Sequence, residues 1–146
     1  MRVIIRNQQK TIPVNKREVK EIVNRTLKVL GASAIDASSK GEITVVYVDN
    51  KAIQELNWRF LREDCPTDVL CFDLSSAEHL IVDIIISTEK ACENAKVFGS
   101  STRREMCLYL IHGILHLCGY NDHTENDRIR MQRKALQIMK SINIAP

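Results

Sequence analysis

Apolar residues recur along this chain in two rhythms, short β-branched runs and longer stretches spaced by three and four, and their alternation lays out the elements. Val3-Ile4-Ile5 is a short apolar run that predicts a strand. After a break at Pro13-Val14-Asn15, the positions Val19, Ile22, Val23, Thr26, Leu27 and Leu30 have helical spacing, with Asn15 as cap and Gly31 as stop. Ala32 to Gly41 is small and polar and reads as a loop. Glu42 to Val48 is rich in β-branched residues, which predicts a strand largely buried on both faces. Asp49-Asn50 caps a helix whose inward side is Ile53, Leu56, Asn57 and Phe60, and a turn follows at Pro66. Val69 to Leu74 and Leu80 to Ile86 are two further strands, and the short Ser75 to Glu78 link predicts an antiparallel hairpin. Ser87 caps a helix through Ala91, Ala95 and Phe98 that Gly99 ends. Thr102-Arg103-Arg104-Glu105 has the S/T-x-x-E form of a capping box and opens the next helix. Thr124 to Asp127 opens a last helix, whose stripe at Met131, Ala135, Ile138 and Ile142 is core packing.

The resulting order is β-α-β-α-β-β-α-α-α. Strands separated by helices pair in parallel and the hairpin reverses one of them, so the fold expected is α/β (α+β), with a mixed sheet of about four strands packed by helices. Residues 1–146 are expected to form a single domain, with no repeat and no interdomain linker. Asp83 interrupts an apolar strand and needs a partner, either backbone at the strand end or a neighbouring functional site.

Composition narrows the class. The chain is 45% hydrophobic and 27% charged, an ordinary globular balance, and no apolar run approaches the ~20 residues of a membrane span. The N-terminal Met1 to Arg6 stretch is too short for a signal peptide. Five scattered cysteines without a C-x-x-C pair point to reduced thiols and a cytoplasmic setting. A net charge of +3 neither demonstrates nor opposes nucleic-acid binding. Lys16, Arg17, Lys20 and Arg25 lie opposite the apolar face of the first helix, as a solvated face or as an RNA-facing patch.

Candidate chemistry is concentrated between Leu110 and His123, which holds three of the four histidines. His112 and His116 stand four apart in an apolar helix, so their imidazoles share one face and can reach one metal ion. Gly119 follows where a helix can end and the chain reverse, and Asp122 and His123 come next on the returning turn. Three protein ligands would leave a fourth metal position open, the mark of a catalytic rather than a structural zinc site. The nearest generic signature, H-E-x-x-H, takes its general base from the Glu. Here Gly113 occupies that position, which argues against ordinary proteolysis.

The run His112-Gly113-Ile114-Leu115-His116-Leu117-Cys118-Gly119-Tyr120 resembles the H-G-x-L-H-L-x-G-Y-D-H motif of the YbeY family of bacterial rRNA maturation factors. Pro66 to Phe72 is similar to that family's P-T-D-V-L-S-F block, and Asp83 to Ser87 is similar to its G-D-I-x-I-S strand, with Val82 in place of the Gly. The order and spacing fit over about residues 2 to 142. The resemblance implies a zinc-dependent, single-strand-directed endoribonuclease acting on small-subunit rRNA and in ribosome quality control. It also implies one Zn2+ ion as cofactor, with single-stranded rRNA and the ribosomal small subunit as partners. The alternative is a non-catalytic ribosome-assembly or RNA-binding protein with a structural metal.

Two departures bear on the site. The family's third ligand is a His six residues after its second, where this chain has Asp122. A gapless alignment also brings Met131 onto a Met common in the family's last helix, which favours Asp122 as ligand; one inserted residue would give the role to His123. Second, Leu61 occupies the place of a family Arg, leaving Arg62 as the catalytic candidate one position along, or Arg59 a turn earlier. The expected site is therefore His112, His116 and Asp122 around zinc, at the end of a central helix, with Arg62 beside it.

Overall fold

The computed structural model describes residues 1–31 and 40–144. Its elements run in the expected order: β1 (Arg2–Asn7), α1 (Lys16–Leu30), β2 (Gly41–Val48), α2 (Asn50–Leu61), β3 (Val69–Asp73), β4 (Leu80–Ser87), α3 (Thr88–Phe98), α4 (Thr102–Leu117) and α5 (Glu125–Ser141). Most of the loop expected from Ala32 to Gly41 lies outside the described residues.

Capping side chains explain where the helices begin. Asn15, Asp49, Ser87 and Thr124 each sit in extended backbone and accept a hydrogen bond from an N–H of the first turn. In α4 the cap is Ser101, not Thr102, one residue earlier than the capping-box spacing indicates. Ser101 Oγ accepts from Arg104 N, while Ser100 Oγ donates to buried Glu105 at 2.5 Å.

The four strands form one mixed sheet in the order β1-β2-β4-β3. β1 and β4 both run parallel to β2, and the β3–β4 hairpin supplies the antiparallel edge. Alternation along β4 divides the core: Val82, Ile84 and Ile86 face the larger cluster with α1, α4 and α5, while Ile85 faces the smaller one with Ile53 of α2. α4 is buried almost all round, the pattern of a helix enclosed by other elements.

Two expectations need correction. Phe60 is 57% exposed rather than inward, because α2 covers the sheet only with Ile53 and its neighbours. Asp83 is neither at the strand end nor at the histidines. It sits mid-β4 on the α2 face, half-buried between Thr44 and Phe72, so solvent rather than a buried partner meets its charge. Thr26 is fully buried and its hydroxyl has no partner among the described residues. Thr26→Val should therefore raise stability by about 1 kcal/mol in denaturant unfolding; a comparable loss would mean that the hydroxyl is bonded.

Candidate active site

The C-terminal end of α4 is built to aim two imidazoles. Gly119 adopts φ +90°, and the chain closes in a Schellman arrangement, with Tyr120 N donating to Leu115 O at 3.1 Å and Gly119 N to His116 O at 3.2 Å. This turn carries the Tyr120 carbonyl back over the helix end, 3.2 Å from His116 Nδ1. The carbonyl can only accept, so Nδ1–H donates to it; in the neutral ring this tautomer presents Nε2 as the nitrogen that can bind a ligand. One turn earlier, His112 Nε2 is buried and has no hydrogen-bond partner among the described residues. Burial pushes the His112 pKa below the ordinary histidine value, although Asp68, the Gln132 side chain and Asp122 act in the opposite direction. Its imidazole is thus held neutral, the form that binds a metal.

Gly113 has a packing reason. A Cβ there would lie 2.7 Å from Cγ2 of Ile84, which is fully buried in β4. Position 113 lies where α4 packs on β4, so any side chain there must displace Ile84.

His112, His116 and Asp122 line one cavity of about 300 Å³, together with Asp68, Arg128 and Gln132. A second cavity, of about 370 Å³, adjoins it, sharing Val69, His116 and Asp122, and extends along β3 to Leu61 and Phe72. The two form one open cleft between α4, α5, the edge strand β3 and the end of α2. Among the described residues, no three His, Cys, Asp or Glu side chains form a group that could hold a metal ion as they stand. The two histidines are fixed by α4, whereas Asp122 belongs to the exposed turn that follows it.

The remaining candidates fall outside the cleft. His123 is exposed on the same turn and does not line either cavity. Arg62 is the C-cap of α2 in left-handed backbone (φ 58°), with its guanidinium 5.6 Å from the centre of the Trp58 ring. Arg59 is exposed in the last turn of α2, and it is Leu61 that reaches the cavity wall.

Asp68, Arg128 and Gln132 also line the cleft, without a role that sequence pattern assigns. The Asp68 carboxylate accepts from Val69 N at 2.7 Å and faces His112. Arg128 donates from Nη1 to the Asp122 carbonyl at 3.3 Å, tying the ligand turn to α5. Gln132 follows four residues later on the same face of α5. Polar residues on the outer half of an amphipathic helix look alike in sequence, and only the docking of α5 on α4 distinguishes these two.

Comparison with known proteins adds to this geometry. The family described as Endoribonuclease YbeY matches residues 4–143. Proteins named Endoribonuclease YbeY from Clostridium botulinum and Syntrophomonas wolfei are 34% and 33% identical, the first covering 97% of this chain and 98% of the relative and the second 99% of each. One from Syntrophus aciditrophicus is 34% identical over 94% of this chain and 88% of its own length. The fold is similar to the solution structure of TM1509 from Thermotoga maritima, with a TM-score of 0.60 at 23% identity, covering 96% of this chain and 91% of that one. Among the described residues, no helix is long and apolar enough to cross a membrane. A match running from β1 to the end of α5 takes in every element that walls the cleft, and the chain belongs to the YbeY endoribonuclease family.

Proposed function

We propose that this chain is a zinc-dependent endoribonuclease of single-stranded RNA, acting in small-subunit rRNA maturation and ribosome quality control in the cytoplasm. The observation that carries the metal reading is the orphaned, buried Nε2 of His112, in a cavity shared with His116 and Asp122. Leaving such an atom unpaired costs about 1–3 kcal/mol, and a metal ligand bond would offset that cost. Two imidazoles and a carboxylate are a donor set that suits zinc and leaves a position open.

A bound zinc ion would supply Lewis acidity toward a phosphoryl oxygen and lower the pKa of its bound water. The chain's own residues do the rest. Burial keeps His112 neutral, and Tyr120 O keeps His116 in the tautomer that presents Nε2. Arg128 anchors the Asp122 backbone and leaves its other guanidinium N–H groups free to meet a phosphate in the cleft. Single-stranded rRNA and the ribosomal small subunit are the partners this reading assigns.

Metal analysis of the purified chain tests it, with one equivalent of zinc expected. Asp122→Ala should lower zinc affinity by at least about 10–100-fold, while His123→Ala should change it little. The reverse ranking in a metal titration would transfer the third ligand to His123. Toward zinc, Arg128→Ala removes the anchor of the turn, and a loss of affinity of up to about tenfold is expected for that one hydrogen bond; RNA binding should weaken as well, through the lost phosphate contact.

A further inference from the structure

We propose that the C-terminal end of α2 and the free edge of β3 form a base-stacking platform that receives single-stranded RNA where it leaves the cleft. This rests on the endoribonuclease reading above and adds to it a binding surface outside the metal-ligand set. Trp58, Phe60 and Leu61 are 50%, 57% and 54% exposed, an unusual density of large apolar side chains at one helix end. Phe60 packs on Phe72 of β3, their ring centres 5.1 Å apart and inclined at 58°. The Arg62 guanidinium lies over the Trp58 ring, so an indole backs a cationic plane.

The patch is continuous with the cleft. Leu61 and Phe72 line the same cavity as His116 and Asp122, so a strand lying across the histidines meets the aromatic residues next. β3 is one of the two edge strands of the sheet, leaving one row of its backbone groups unpaired by any strand along the cavity wall. Unstacked bases have two features that such a surface meets: a π face for aromatic and guanidinium stacking, and an edge for hydrogen bonds. Arg59 and Arg62 add positive charge for the backbone at the same helix end. Glu63 and Asp64 follow directly; Asp64 accepts a hydrogen bond from Gln54, and neither acid lines the cavity. Duplex bases are already stacked, so the platform would favour single strands.

Trp58 is the only tryptophan in the chain and reports on the patch directly. The test titrates the full chain with a non-cleavable 2′-O-methyl single-stranded oligoribonucleotide and with an abasic oligomer of equal length. Saturable quenching of Trp58 by the base-bearing strand is expected, with binding about tenfold or more weaker for the abasic one. Phe60→Ala should weaken binding of the base-bearing strand about tenfold, leaving zinc content and abasic binding unchanged, and Phe60→Tyr should restore it. Equal affinity for the two oligomers, or an unchanged Phe60→Ala variant, would overturn the platform while leaving the nuclease reading intact. A Trp58 shift that follows protein concentration alone would assign the patch to a second copy and also overturn it. Absence of any RNA binding would remove both readings.

Discussion

Gly113→Glu is expected to leave the chain unfolded rather than turn it into a peptidase. The new Cβ would stand 2.7 Å from Cγ2 of Ile84, and both Ile84 and its neighbour Ile114 are fully buried, so neither can yield. The carboxylate beyond it would be buried against the sheet without a cationic partner, at a cost of several kcal/mol. Added to overpacking of about 1–3 kcal/mol, this takes up most or all of the 5–15 kcal/mol that typically holds a domain together. Gly113→Ala isolates the steric part. Alanine gains about 1 kcal/mol of helix propensity over glycine, so a net loss of up to about 2 kcal/mol is expected. Circular dichroism and urea unfolding measure both variants; a folded Gly113→Glu chain of near wild-type stability would refute this packing of α4 on β4.

His112→Ala and His116→Ala carry the largest expected effect on chemistry. Each removes one of two imidazoles that α4 places a turn apart, and a single remaining histidine with one carboxylate is a weak zinc site. Zinc affinity should fall by well over the roughly 10–100-fold seen when only a supporting partner of a ligand is lost, and RNA cleavage should fall with it. Folding should survive in both. His116 is only half-buried, and replacing His112 removes an Nε2 that has no partner in the absence of metal. A variant that still holds a full equivalent of zinc at its original affinity would remove that histidine from the ligand set. Loss of cooperative unfolding, by contrast, would assign it a structural part.

Much of this architecture was legible because local signals agreed with one another. Asn15, Asp49, Ser87 and Thr124 cap in the structure where the sequence placed helix starts, and the hairpin followed from the short link between two apolar runs. The exceptions have physical causes. Ser101 displaces Thr102 as cap because both can accept from the first turn, and backbone geometry alone decides between them. Phe60 has the spacing of a buried residue, but α2 covers only part of its sheet face, and spacing does not register how far a helix extends over its sheet. At the site, the i, i+4 histidines and the Gly119 turn were readable from short-range pattern. Asp68, Arg128 and Gln132 reach the cleft only through the packing of α5 on α4 and of β3 beside it, contacts between separate elements that no local spacing encodes.

The most direct measurement of the central claim is cleavage of a single-stranded RNA by the purified chain, followed before chelation, after chelation and after zinc is restored. Cleavage by the zinc-loaded chain is expected, with at least about 100-fold loss on removal of the metal, recovery on add-back, and little cleavage of the same sequence in a duplex. Undiminished cleavage by the metal-free chain, or a zinc-loaded chain that binds the RNA and leaves it whole, would contradict that claim.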